Sequence, residues 1–113
     1  MIIAPEHLGD AEKEIWNNIV PLLEGHIIEL DTQIIALLCQ NISLIHLANA
    51  EIKKEGVVVQ TPSFHKKYNP YLRVRAAAEV TAIKIMRELG MTPRSRKTNR
   101  IVPKTTDALE DFL

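Results

Sequence analysis

The segment from Asp31 to Gly56 is the feature that most restricts how this chain can fold. Asp31 can cap the start of a helix and Gly56 can end one. Apolar side chains lie around much of its circumference: Ile34, Ile35, Leu37, Leu38, Ile42, Leu44, Ile45, Leu47, Ala48 and Ile52. A helix that is apolar on most sides must be covered on most sides. Two neighbouring helices in so small a chain could hardly do this alone, so the pattern predicts a core helix with contacts between subunits.

The same segment is not expected to span a membrane. Its most apolar part, Ile34 to Ala48, is shorter than the ~20 residues that a span needs. Polar residues interrupt it at Gln40, Asn41, Ser43 and His46. The N-terminus has neither the basic start nor the continuous apolar stretch of a signal peptide. These features predict a soluble, intracellular protein. Cys39 and His46 lie within the apolar helical segment, so we expect Cys39 to be a small buried core residue and His46 to be a core or interface residue.

Two further helices are indicated by their ends. Asp10 can cap a first helix that ends at Gly25, and Pro21 is expected to kink or split it near Val20. Asn69 can cap another that starts at Pro70 and ends at Gly90.

Two shorter elements are indicated around that later helix. Thr92-Pro93 repeats the cap-then-proline signal, which predicts a short C-terminal helix. Between Gly56 and Asn69, a β-branched run at 57–59 and a return at 64–68 predict a small hairpin, and an irregular loop is the alternative.

The expected fold is therefore mainly α: three main helices and a short C-terminal helix, with a short β-hairpin between helices 2 and 3. Residues 1–104 are predicted to form a single helical oligomerisation domain. Residues 105–113 are predicted to be an acidic, flexible tail.

The net charge of zero hides a strong asymmetry along the chain. Residues 1–62 hold three cations and nine carboxylates, whereas residues 63–104 hold eleven cations and two carboxylates. A basic segment of this kind is typical of a nucleic-acid-binding surface, so residues 1–104 are predicted to be a DNA-binding domain as well. The alternative is that the two halves neutralise each other within the fold or between subunits.

The basic residues form three clusters in the sequence, and all are candidate DNA contacts. They are Lys66, Lys67, Arg73, Arg75, Arg94, Arg96, Lys97 and Arg100. One arginine guanidinium can donate two hydrogen bonds to the oxygens of a phosphate. A few such contacts give DNA binding that is sensitive to salt and independent of base sequence. The alternatives are ion pairs with the acidic half for Arg73 and Arg75, and a solvated basic linker for residues 94–100.

Catalytic and metal-binding patterns are not visible in the sequence. There is no nucleophile beside a base and no phosphate-binding glycine loop, and the histidines are too scattered for a metal site. The sequence thus predicts a protein that is not an enzyme and that needs no cofactor or metal.

Taken in order, the segments of this chain resemble the small subunit of the terminase of tailed bacteriophages. The similarity covers Trp16-Asn17-Asn18-Ile19-Val20-Pro21-Leu22-Leu23 with Gly25, Leu30-Asp31, Glu55-Gly56-Val57-Val58, Asn69-Pro70 with the alanine-rich helix, and Glu88-Leu89-Gly90-Met91-Thr92-Pro93-Arg94-Ser95-Arg96. The order and spacing of these segments are more specific than any one of them.

The resemblance implies a ring-forming homo-oligomer without catalytic activity. Such a protein engages double-stranded viral DNA in the host cytoplasm and delivers it to the large terminase subunit, which carries the ATPase and the nuclease. The acidic tail, with Leu109, Phe112 and Leu113, is a candidate contact for that subunit. Two alternatives are a dimeric helix-turn-helix regulator and a helical adaptor with no DNA role. The residues 56–68 are too long a connection for a helix-turn-helix turn.

Overall fold

The computed structural model describes residues 2–99, and these form four α-helices, one 3₁₀ turn and one antiparallel hairpin. The helices and strands are α1 (Asp10–Leu23), α2 (Thr32–Glu55), β1 (Val58–Gln60), β2 (Lys66–Tyr68), α3 (Tyr71–Glu88) and α4 (Pro93–Asn99), with the 3₁₀ turn at Glu29–Asp31. The predicted mainly helical fold is confirmed, as is the hairpin between helices 2 and 3.

The core is built on α2, which packs against both α1 and α3. The largest completely buried side chains are Ile35, Leu38 and Cys39, all on α2. The rest of the buried cluster is Leu8, Trp16, Ile19, Val20, Leu23, Ala36, Ala82, Ile85 and Leu89. Burial, with a smaller contribution from the Glu12 carboxylate, raises the pKa of the Cys39 thiol from 9.0 to about 11. Cys39 is therefore the small core residue that the sequence predicted.

The first helix differs from its prediction at its start and at Pro21, whereas Gly25 follows its C-cap residue with φ of 92°, as expected of a glycine that ends a helix. Gly9, not Asp10, is the residue before the first helical turn, and its amide donates to Glu12 Oε2 over 2.9 Å. Pro21 does not split the helix, which continues through it and ends at Leu23. Pro21 has no amide to donate to the Asn17 carbonyl, so the last turn of the helix forms without that hydrogen bond.

The ends of α2 lie where the sequence placed them. Asp31 precedes the helix, and its carboxylate accepts from the Ile28 amide over 2.9 Å, so the side chain supports the 3₁₀ turn rather than capping α2. Gly56 ends the helix with φ of 88°, and its amide donates to the Ile52 carbonyl over 2.7 Å. Only glycine adopts this conformation without steric cost.

The hairpin joins the end of α2 to the start of α3. Its strands pair Val58 with Tyr68, Val59 with Lys67 and Gln60 with Lys66. Asn69 fixes its base: the amide donates to the Val57 carbonyl over 2.7 Å, and Nδ2 donates to the Gly56 carbonyl over 2.8 Å. The hairpin therefore lies at the C-terminal end of α2, away from the end that starts beside the 3₁₀ turn.

Asn69 also starts α3, as predicted, because its Oδ1 accepts from the Tyr71 amide over 3.0 Å. At the other end, Gly90 has φ of 72°, and the amides of Met91 and Gly90 donate to the carbonyls of Met86 and Arg87. This is a Schellman ending.

The start of α4 is capped reciprocally. The Ser95 amide donates to Thr92 Oγ1, and the Thr92 amide donates to Ser95 Oγ, each over 3.2 Å. The cap that the sequence placed at Thr92-Pro93 is thus present in the structure.

Much apolar surface stays exposed on the single chain. Large side chains that the sequence expected to be covered, Leu37, Leu44 and Leu47, are exposed on α2. His46 is exposed as well, so it is not a core residue of the isolated chain. The segment Glu29–Glu55 is long enough to cross a membrane, and an 18-residue window within it is apolar enough, with mean hydropathy of 1.3, contrary to the length argument above. Its packing against α1 and α3 is also what a core helix of a soluble protein shows.

Candidate nucleic-acid interface

The predicted DNA contacts lie in two groups at opposite ends of α3. Lys66 and Lys67 lie on β2, and Arg73 and Arg75 lie on the first turns of α3. Arg94, Arg96 and Lys97 lie on α4, beyond the other end. The 18 residues of α3 span roughly 27 Å at 1.5 Å per residue. One protomer therefore does not bring all the predicted cations into a single patch.

At the hairpin end, the four predicted cations differ in their exposure and in their contacts. Lys66 and Lys67 are exposed and, as neighbours on a strand, point to opposite faces of the hairpin. Arg73 is exposed as well. Arg75 donates to Asn49 Oδ1 over 3.0 Å and lies 3.7 Å from the Glu79 carboxylate. Arg75 thus braces α3 against α2, and the carboxylate beside it is on its own helix, not in the acidic half.

At the other end of α3, the fold brings together cations that are distant in the sequence. Arg87 and Arg94 line one shallow depression of about 280 Å³, together with Glu88, Thr92, Ser95 and Thr98. Lys84 and Arg87 line a second depression of about 300 Å³ beside it. Helical spacing puts Lys97 on the Arg94 side of α4. We call Lys84, Arg87, Arg94 and Lys97 the basic corner.

Two members of the basic corner, Lys84 and Arg87, were absent from the predicted contacts. Both are exposed. A signal for them exists in the sequence, because Lys84 follows Arg73 by eleven residues and Arg87 follows Lys84 by three, which places all three on one side of a helix. That face connects the two groups of cations along α3.

Arg96 has a structural role that sequence reasoning did not separate from DNA binding. It is half-buried and donates to the Met91 carbonyl over 3.1 Å, which fixes the turn between α3 and α4. Arg94 and Lys97 are exposed. Arg100 and the tail residues Leu109, Phe112 and Leu113 lie outside the described residues.

The basic corner has the chemistry of a phosphate-binding surface. Glu88 is the one carboxylate among the described residues that line the two depressions. The guanidinium groups of Arg87 and Arg94 can each donate two hydrogen bonds to phosphate oxygens. Within residues 2–99, no group of three or more His, Cys, Asp or Glu side chains is arranged to hold a metal ion. The arrangement is suited to binding a polyanion by charge.

The sequence of this chain matches the model of a known protein family. The model of the family described as phage terminase, small subunit, matches residues 13–106, which is most of the chain. The protein belongs to the phage terminase small subunit family. No curated protein and no solved structure matches the chain.

The terminase match covers most of α1 and all of α2, the hairpin, α3 and α4. It therefore includes both groups of cations and the exposed apolar surface of α2. The resemblance drawn from the sequence is confirmed. Small terminase subunits are generally non-catalytic proteins of phage genome packaging, which takes place inside the host cell.

Proposed function

We propose that this terminase small subunit is a homo-oligomeric, ring-forming component that binds double-stranded viral DNA and presents it to the large terminase subunit. It would act in the host cytoplasm and would not itself be an enzyme. The observation that carries the DNA-binding part is the basic corner, where Lys84, Arg87 and Arg94 are exposed and line adjoining depressions.

Exposed apolar side chains support the oligomer. They lie on α2 at Leu37, Leu44 and Leu47 and on α3 at Val80 and Ile83. Burying such side chains between protomers stabilises an assembly by about 25 cal/mol per Å² of apolar surface. A helix covered on two sides by its own chain can be covered on the others by copies of that chain.

Repetition of the basic corner in a ring supports DNA binding. Four cations on one protomer offer few phosphate contacts, and binding that is mostly electrostatic is weak at physiological salt. Several linked copies act at high effective concentration on one duplex, which increases the overall affinity without new contacts. The contacts would be to the phosphate backbone and would carry no base sequence information.

The contact with the large subunit is proposed for the acidic tail, residues 105–113. Its support is the sequence alone: three carboxylates beside the apolar Leu109, Phe112 and Leu113. Deleting the tail should leave assembly and duplex binding unchanged while abolishing co-purification with the large subunit. Retained co-purification would show that another surface makes this contact.

The DNA-binding part is tested by the variant Arg87→Ala/Arg94→Ala. Loss of two phosphate contacts should weaken duplex binding and make the slope of log K against log salt shallower by roughly 1.8. The matched control is Lys53→Ala/Lys54→Ala, which removes two exposed lysines near the end of α2. Equal affinity and slope for the test variant and the wild type would refute the assignment of the basic corner.

One observation favours the helix-turn-helix alternative. Four residues, 89–92, separate α3 from α4 and include Gly90, and this length suits a helix-turn-helix turn. The argument from the long connection at 56–68 applies only to α2 and α3. A regulator of this kind would discriminate strongly between duplex sequences, whereas phosphate contacts would not. Competition with unrelated duplexes separates the two functions, and no duplex binding even at low salt would favour the adaptor.

A further inference from the structure

The N-terminal end of the protomer carries an open apolar groove of about 680 Å³. Trp16 and Val20 of α1 form one wall, and Ile27 and Ile28 form another. The side chain of Ile3, at the edge of the groove, is 83% exposed, and that of nearby Leu30 is 86% exposed. Glu24 and Glu29 also line the groove, which makes its rim acidic.

The opposite end of the protomer carries an exposed aromatic projection, the tip of the hairpin. Phe64 is 83% exposed and has φ of 64°, in the left-handed region that a bulky side chain rarely adopts. Hydrogen bonds hold the turn in this shape: the His65 amide donates to Thr61 Oγ1, and the Phe64 amide donates to the Thr61 carbonyl. Backbone strain that is held in place by surrounding bonds is typical of functional positions.

The two strands behind Phe64 add positive charge and, at the base of the hairpin, further apolar surface. Val58 and Tyr68 are cross-strand partners, and both are exposed. Lys66 and Lys67 lie between Phe64 and Tyr68 in the sequence and are exposed too. The projection is therefore apolar at its tip and basic behind it, which complements a groove that is apolar inside and acidic at its rim.

These two surfaces cannot meet within one chain. The groove lies at the N-terminal end of α2 and the hairpin follows its C-terminal end, and 24 helical residues separate them by roughly 36 Å. The length of the helix is fixed by its backbone hydrogen bonds. A groove and a projection that match each other at opposite ends of a rigid body can bind only between copies.

We propose that the hairpin of one protomer inserts Phe64 into the apolar groove of the next protomer. Lys66 and Lys67 point to opposite faces of the hairpin, so the lysine that faces the acidic rim then pairs with it, chiefly with Glu29. The inference rests on the proposed homo-oligomer and names the contact that would hold it together. It also assigns Lys66 and Lys67 to assembly, leaving the basic corner as the DNA-binding surface. Because the contact is head-to-tail, it produces a ring when the rotation between protomers closes.

A mixing experiment tests the head-to-tail contact. Phe64→Ala removes the projection and keeps the groove, whereas Ile28→Lys blocks the groove and keeps the projection. Both positions are exposed, so each protomer should fold, which circular dichroism checks. In native mass spectrometry, each variant alone should lose the wild-type assembly. An equimolar mixture should form a species of twice the protomer mass, because one intact groove meets one intact hairpin and growth stops there.

A charge-swap series tests the basic side of the same contact. Lys66→Glu/Lys67→Glu should reduce the assembled fraction at least tenfold at micromolar concentration, and adding Glu29→Lys should restore part of it. The matched control, Lys53→Glu/Lys54→Glu, reverses two other adjacent lysines and should keep the wild-type mass. Lack of rescue by Glu29→Lys would remove that carboxylate from the contact.

Other results would overturn the proposal. Wild-type assembly by Phe64→Ala refutes it directly, and variants that remain monomeric on mixing refute the head-to-tail geometry. If the Phe64 and lysine variants keep the wild-type mass but bind duplex DNA more weakly, the hairpin is a DNA contact instead. A wild-type protein that is itself monomeric would refute the proposed ring, and weaker DNA binding by the basic-corner variant would then still stand as a separate result.

Discussion

Asn69 offers the sharpest test of how this fold is held together. Its side chain is 3% exposed and makes two hydrogen bonds: Oδ1 accepts from the Tyr71 amide, and Nδ2 donates to the Gly56 carbonyl. One residue therefore joins the end of α2, the base of the hairpin and the start of α3. Asn69→Ala removes both bonds while keeping the backbone bond to the Val57 carbonyl.

The expected loss of stability is the sum of two contributions. Removing the cap of α3 costs about 1 kcal/mol. Leaving the half-buried Gly56 carbonyl without its partner costs about 1 kcal/mol more, at the low end for an unsatisfied group because it is not deeply buried. The free energy of unfolding should fall by about 2 kcal/mol, which corresponds to roughly 8 °C in Tm for a domain of this size.

The measurement is denaturant unfolding followed by circular dichroism, with all variants at the same protein concentration because assembly adds apparent stability. Asn69→Ser keeps an acceptor for the Tyr71 amide but is too short to reach Gly56, so it should recover about half of the loss. The control is Asn41→Ala, whose exposed side chain donates to the Leu37 carbonyl within α2 and should matter by less than about 0.5 kcal/mol. A loss below that value for Asn69→Ala would refute the account of this junction.

Three further predictions concern the core and the turn before α4. Gly90→Ala should lower the free energy of unfolding by about 1–2 kcal/mol, because φ of 72° is costly for alanine; a neutral result in thermal unfolding would contradict this. Since the folded-state pKa of Cys39 is raised to about 11, stability should fall as pH rises from about 9 to 11, by up to roughly 1.4 kcal/mol per unit, and Cys39→Ala should remove this dependence. Ser95→Ala breaks the reciprocal cap with Thr92 and should lower the stability of α4 by about 1 kcal/mol. Amide hydrogen exchange in α4 should then be faster than in the wild type, and unchanged exchange would contradict the prediction.

Local signals explain why the helix ends were largely predictable. Asn69, Gly56, Gly90 and Thr92 act on backbone groups within a few residues, so the sequence shows both the signal and its target. The start of α1 was wrong by one residue because Asp10 and Gly9 can both precede a helix, and the Glu12 bond to the Gly9 amide decides between them. The sequence does not distinguish a hairpin from an irregular loop between α2 and α3, because strand pairing depends on contacts across the turn that composition does not fix.

The candidate interface was only partly predictable for a similar reason. Charge counting found the basic half of the chain, but it could not separate exposed arginines from those that brace the fold. Arg75 reaches Asn49 on another helix, and Arg96 reaches back to the Met91 carbonyl. Arg87 and Arg94 line the same depression only because the turn at Gly90 brings α4 beside the end of α3.

The sequence by itself determined the helices of this terminase small subunit, most of their ends, the family and the basic half. It could do so because caps, stops and charge are local properties. Only the tertiary structure decided which apolar side chains α1 and α3 cover and which cations face outward together. It also set the acidic groove and the basic hairpin at opposite ends of α2. Those features depend on distances between residues far apart in the chain, and packing around α2 fixes them.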